Sequence, residues 1–152
     1  ETDQDAPPRV MVGVDGSIGA ERAVREVGSR VWSEGTEVRI VAVDESVSPR
    51  SIARILPAAT EMIRSSNEEA MKKPREMAQW AADELCAIGL EVSVAIRKGD
   101  PQRILLEELG KWNPDSLFVG SRGLDQPDKK SGLGAVATGL LLNAPSTVEI
   151  VR

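Results

Sequence analysis

"RVMVGVDGS", Arg9 to Ser17, runs apolar through Val14 and then stops on Asp15-Gly16-Ser17. A short, nearly continuous apolar run closed by turn residues is the pattern of a strand buried on both faces. Beyond the turn, Ala20, Ala23, Val24, Val27 and Val31 recur at helical spacing, with Glu21, Arg22, Arg25 and Glu26 between them. That spacing predicts an amphipathic helix, which Gly35 in "SEGTE" is expected to end. "EVRIVAVDES" then repeats the first pattern, giving a second buried strand from Glu37 to Val43. Strand, helix, strand in this order brings the two strands side by side in parallel.

The same alternation continues. Residues 45 to 67 carry apolar side chains at mixed spacing around Pro57, which suggests a short helical piece or an ordered loop. From about Arg75, "REMAQWAADELCAIGL" reads as a helix with Met77, Trp80, Ala81, Leu85 and Ile88 inward, ended by Gly89. Pro74 fits either the first turn of that helix or a kink in a longer one starting near Asn67. "EVSVAIRKGD" alternates and reads as a third strand. Asp100-Pro101 supplies a cap oxygen and a preset φ for the helix "PQRILLEELGKW", with Ile104, Leu105 and Leu109 inward. "DSLFVGS" is a fourth strand, Ala135 to Asn143 a last helix and "STVEIVR" a fifth strand. Strands alternating with helices call for a parallel α/β sheet covered on both faces.

Composition narrows what such a fold can do. At 152 residues and 16.3 kDa the chain suits one domain, residues 9 to 152, after a flexible, polar, proline-bearing arm over residues 1 to 8. A net charge of −5 argues against nucleic acid and anionic membrane as partners. Histidine is absent, which removes Ser-His-Asp triads, His-ligated zinc and imidazole acid–base chemistry. The single cysteine, Cys86, cannot form an internal disulfide, which suits a reducing cytoplasmic setting. No apolar run approaches the ~20 residues of a membrane span and no signal-peptide pattern opens the chain. Because the first residue is Glu1, the chain could be a piece of something longer.

In parallel sheets of this kind, ligands bind beyond the carboxyl ends of the strands, where the strand order reverses. The turns able to meet there follow Val14, Val43 and Val119. Two of these are glycine-bearing: Asp15-Gly16-Ser17, and "GSRGLDQPDKKSGLGAVATGLL" from Gly120 to Leu141.

Taken together, "RVMVGVDGS", "EVRIVAVDE", "KGDPQRILLEEL" and "DSLFVGSRG…GLGAVATGLLLNAPSTVEIVR" resemble a universal stress protein domain over nearly all of residues 9 to 152. The resemblance implies an open, Rossmann-like five-stranded parallel sheet of order 3-2-1-4-5, and a homodimer through the last strand. It also implies a site for ATP or another adenine nucleotide, with any Mg2+ held mainly by the phosphates. In the ATP-binding branch a loop after strand four runs Gly, two residues, Gly, nine residues, Gly, then Ser or Thr. The resemblance maps those glycines onto Gly120, Gly123 and Gly134. It places Asp15 at the nucleoside and Val43 against adenine, with Val14, Val119, Arg122, Ala135, Val136 and Ala137 completing the site.

Glycines let main-chain N–H groups approach phosphate closely, and a helix N-terminus adds the favourable end of its dipole. This sequence departs from the pattern twice. Leu124 to Leu133 makes ten residues instead of nine, and Ala135 stands where the family has a hydroxyl; Ala137 stands where a second is frequent. One hydrogen bond to a charged group contributes ~1.5–3 kcal/mol, roughly ten- to a hundredfold in affinity. Its loss weakens such a site without abolishing it, because donors at Gly123, Gly134, Ala135 and Val136 remain and Arg122 adds charge.

Plainer readings stand beside these. Gly120 and Gly123 could mark only the sharp turn leaving a buried strand, and Asp15 could be a turn residue bonding its own backbone. Lys129 and Lys130 read as a solvated loop tip, the three tryptophans as packing, Cys86 as an inert small apolar residue, and Glu107/Glu108 as surface. The expected function is a non-catalytic nucleotide-binding module of the stress response. The competing readings are a non-binding structural dimer and a slow ATPase or adenylyl transferase.

Overall fold

The computed structural model describes residues 6–44, 60–122 and 133–152, the side chains of 60–71 excepted. Five strands form one parallel sheet: β1 Arg9–Val14, β2 Glu37–Asp44, β3 Glu91–Lys98, β4 Ser116–Gly120 and β5 Thr147–Val151. Their order is β3-β2-β1-β4-β5, as the resemblance implies. Among the described residues four helices accompany them: α1 Ile18–Ser29, α2 Thr60–Ala87, α3 Pro101–Trp112 and α4 Ala135–Asn143.

The apolar runs of β1 and β2 serve two cores at once. Val10, Val12, Val14, Ile40 and Ala42 turn toward α1 and α2, while Met11, Val41 and Val43 turn toward α3 and α4. Fully burying one such side chain contributes ~1.5–3 kcal/mol. This is why these strands read as continuous rather than alternating. β1 pairs with β2 on one side and β4 on the other, so the strand order reverses between β1 and β4. Of the N-terminal arm, the described part lies on the domain: the Pro8 carbonyl accepts from the Glu37 N–H at 2.9 Å, and Pro7 sits beside Gly35.

Several elements differ from the sequence reading. α1 ends at Ser29, well before Gly35, so Val31 falls beyond the helix and is fully exposed. α2 is the longer of the two helices weighed for this stretch, beginning at Thr60 and not near Asn67, and Pro74 lies buried in its interior and not in a first turn. A proline inside a helix removes one backbone hydrogen bond and costs ~3 kcal/mol; here its ring is turned toward the core. The buried stripe of α2 is Pro74, Ala78, Ala81 and Leu85, with Met77 and Trp80 packed partly at its side. Small alanines on that line let the helix approach the sheet. Ile88 lies past the helix end and is 55% exposed, and Cys86 is exposed as well. Of the short helical piece or ordered loop expected over residues 45 to 67, residues 45–59 lie outside the described residues and 60–67 belong to the start of α2.

Glu108, expected at the surface, is buried. Its carboxylate accepts from Arg97 at 2.6 Å and lies 3.9 Å from Arg39. A buried carboxylate without a partner costs several kcal/mol, so the arginines are a condition of its burial. Arg97 first, then Arg103, also donate to Glu107 and hold that carboxyl below its ordinary range. Trp112 packs between Arg9 and Arg39, at 5.7 and 4.7 Å from its ring centre, and Trp32 meets Phe118 edge-on at 6.2 Å.

Candidate functional site

The carboxyl ends of β1 and β4 open into a cleft of about 180 Å³, roofed by the starts of α1, α3 and α4. Its inner wall is apolar. Val43, Leu105, Val119 and Ala137 come from the α3/α4 side of the sheet, with Pro101 beside them. Gly13 keeps this wall tight: a methyl group there would stand 3.2 Å from both Leu105 and Val119.

At the end of β1 the turn is built by its own side chains. Asp15 Oδ1 accepts from the Ser17 N–H at 2.9 Å, and Ser17 Oγ caps α1 by accepting from the Ala20 N–H at 3.1 Å. Gly16 sits at φ +89°, a conformation other residues rarely adopt. Asp15 is therefore a turn residue, and it also faces the cleft.

The end of β4 is tied differently. Gly120 is pressed against α1: a methyl group on it would stand 2.5 Å from the Gly19 carbonyl carbon. The glycine is thus required by backbone contact whatever binds nearby. Past it, the Ser121 N–H donates to the Val151 carbonyl at 2.9 Å, extending the β4–β5 pairing. The Ser121 carbonyl in turn accepts from the Gly134 N–H at 2.8 Å. These two bonds fix where α4 starts relative to β4, whatever number of residues lies between Ser121 and Gly134.

Gly134 is the N-cap of α4, and no side chain caps that helix. The N–H groups of Ala135, Val136 and Ala137 belong to the first turn, which has no intrahelical acceptors. The Gly134 N–H was expected among the available donors, but Ser121 already holds it. Arg122 is half-buried in the cleft and, among the described residues, forms no ion pair.

Of the residues singled out from sequence, Val14, Asp15, Val43, Val119, Gly120, Arg122, Gly134, Ala135, Val136 and Ala137 all line this one cleft. Gly123 lies outside the described residues. The sequence reading missed Gly13, Ser17, Ala20, Pro101, Leu105 and Ser121. Asp100-Pro101 held a usable signal, since each helix following a parallel strand starts at the carboxyl edge. Among the described residues, no three His, Cys, Asp or Glu side chains gather as a metal site. No described helix is long and apolar enough to cross a membrane.

A model of the universal stress protein family matches residues 8–152. The chain belongs to that family. Its fold is also that of several known structures. The hypothetical protein MJ0577 superposes with a TM-score of 0.77 at 20% identity, covering 94% of each chain. A universal stress protein family protein from Arabidopsis thaliana, with AMP bound, gives 0.65 at 21% identity, covering 95% of this chain and 91% of the other. The universal stress protein from Archaeoglobus fulgidus in complex with dAMP gives 0.65 at 19%, covering 97% and 98%. Identities this low speak to the shared fold.

Proposed function

We propose that this universal stress protein family member binds an adenine nucleotide in the β1/β4 cleft and acts as a ligand-dependent switch or interaction module, without catalysing a reaction. The observation that carries the reading is the start of α4. Its first-turn amides lack a side-chain cap and border a cleft with an apolar wall on one side and a carboxylate on the other. Anions are favoured at such a helix end by the amide hydrogens and by the dipole together. The purine packs against Val43, Leu105 and Val119. Asp15, whose Oδ2 is left over from the turn, accepts from the ribose hydroxyls. The amides of Ala135, Val136 and Ala137, with Arg122, receive the phosphates; Gly123 is expected to join them, and Mg2+ rides on the phosphates. AMP and dAMP bound to proteins of the same fold support the choice of base.

Asp15 is the only carboxylate among the described residues lining the cleft, and its Oδ1 is engaged by the Ser17 amide. That supports binding over general-base catalysis. The test is isothermal titration of nucleotide-stripped protein with ATP and magnesium, followed by a phosphate-release assay on the same sample. Saturable heat below millimolar ligand and phosphate release equal to the buffer blank are expected. No heat at millimolar ATP overturns the reading.

A second reading, a non-binding structural dimer of the family, is favoured by the methyl at Ala135 and by the commitment of the Gly134 N–H to Ser121. The titration separates the two. A homodimer through β5 is compatible with either. Thr147–Val151 is an edge strand, and Leu141 and Leu142 stand exposed on the preceding helix, at 49% and 78%. Sedimentation of a monomer at tens of micromolar overturns it. The exposed Cys86 suits a reducing cytoplasmic location, which fractionation of cells expressing a tagged chain checks.

A further inference from the structure

Among the described residues, three hydroxyl groups belong to the cleft or to the helix starts that roof it, and two of them already serve the backbone. Ser17 Oγ accepts from the Ala20 N–H at 3.1 Å, and Thr138 Oγ1 donates to the Gly134 carbonyl at 3.0 Å. The third belongs to Ser121, which lines the cleft and is half-buried. Its hydroxyl has no hydrogen-bond partner among the described residues. Both of its main-chain groups, by contrast, are engaged. The N–H donates to the Val151 carbonyl at 2.9 Å, and the carbonyl accepts from the Gly134 N–H at 2.8 Å.

The direction of the Ser121 side chain follows from the period of β4, whose successive residues face opposite sides of the sheet. Leu117 and Val119 face α3 and α4, Phe118 faces the opposite core, and Gly120 is pressed on α1. The bond to Val151 carries the pairing with β5 one residue further. Ser121 therefore falls on the α3/α4 side, the side of the cleft's apolar wall. Its carbonyl holds Gly134, and the next residue is Ala135, which brings only a methyl to the cleft. A hydroxyl on a backbone tied at both ends is in place before a ligand arrives, so little freedom is lost when it donates. Charged oxygen is the acceptor to which it donates most strongly.

We propose that Ser121 is a specificity-determining residue of the cleft, its hydroxyl donating to a phosphate oxygen and supplying the side-chain donor that the start of α4 lacks. The inference rests on the nucleotide reading of this cleft and adds the residue that favours phosphorylated over unphosphorylated adenosine. Its test titrates wild type, Ser121→Ala and the double variant Ser121→Ala/Ala135→Ser with adenosine, AMP and ATP. Ser121→Ala is expected to weaken AMP and ATP binding roughly tenfold and to leave adenosine binding unchanged. The double variant is expected to regain most of that loss, because a hydroxyl returns beside the same helix start. The urea midpoint of Ser121→Ala without ligand should equal that of wild type, since the hydroxyl has no protein partner to lose. Equal AMP and ATP affinity in wild type and Ser121→Ala, or equal weakening of adenosine and AMP, overturns the role of Ser121 while leaving the cleft's reading intact. If wild type binds none of the three ligands, the nucleotide reading fails and this inference fails with it.

Discussion

Two helices begin at the same edge of the sheet, and they finish their first turns in opposite ways. α1 follows β1 through Asp15-Gly16-Ser17, and both polar side chains fold back onto the backbone: Asp15 onto the Ser17 amide, Ser17 onto the Ala20 amide. α4 follows β4 through a long connection, and its N-cap is a glycine that offers no side chain. Every buried amide needs an acceptor, from protein, water or ligand. A helix that supplies such acceptors leaves fewer of its first-turn amides to be satisfied from outside. One that does not leaves its first-turn amides open to water or to a ligand. The contrast also separates two kinds of glycine. Gly120 is in close contact with Gly19, whereas Gly134 is an N-cap that offers no side-chain acceptor to the first turn of α4.

The largest expected effect comes from Gly120→Ala. The added methyl meets backbone, which cannot rotate away as a side chain would. Overpacking of this sort costs ~1–3 kcal/mol, and the upper end is expected here. Urea unfolding should show the midpoint falling without a change of slope. A midpoint equal to wild type would mean that Gly120 is spared for a ligand after all, and the division between the two glycines would collapse.

Next comes Ala135→Ser, which restores a hydroxyl at the start of α4. One added hydrogen bond to a phosphate is worth about 1.5 kcal/mol, so ATP affinity should rise roughly tenfold in a titration. Stability without ligand should change little. If Ala135→Ser stabilises the apo protein but leaves ATP affinity alone, the uncapped turn was a weak cap and not a ligand site.

Ser17→Ala sharpens the other side of the comparison and has the smallest expected effect. Losing an N-cap costs ~1 kcal/mol, read as a lower urea midpoint. ATP affinity is expected to persist, because Ser17 already directs its oxygen to the Ala20 amide. A drop in affinity as large as the gain from Ala135→Ser would show that α1 contributes to binding as much as α4 does.

Much of this architecture was written along the chain. The apolar runs at Arg9–Val14 and Ser116–Gly120 marked the central strands, and Asp100-Pro101 and the stretch from Ala135 to Asn143 marked helices at their observed places. Even the cleft was within reach, because parallel strands put all their following turns on one edge. Other features were hidden for a physical reason. Pro74 suited a first turn or a helix interior equally by local rules, and only its burial inside α2 decided between them. Val31 and Ile88 continue a helical period but fall past the ends of their helices, so their period places them against no partner. Glu108 reads as surface until Arg39 and Arg97, from two separate strands, close over it.

The order of apolar and turn residues by itself determined the alternation of strand and helix, and with it the side of the sheet where the connections gather. It did so because side-chain burial has a period, and period is a local property. Which amides stay open there was decided only by the assembled fold. The Gly134 and Ala135 N–H groups are chemically alike in sequence, and a carbonyl at Ser121, brought to 2.8 Å by the pairing of β4 with β5, takes the first of them. Availability of a donor depends on what stands opposite it in space, and no stretch of the chain carries that information alone.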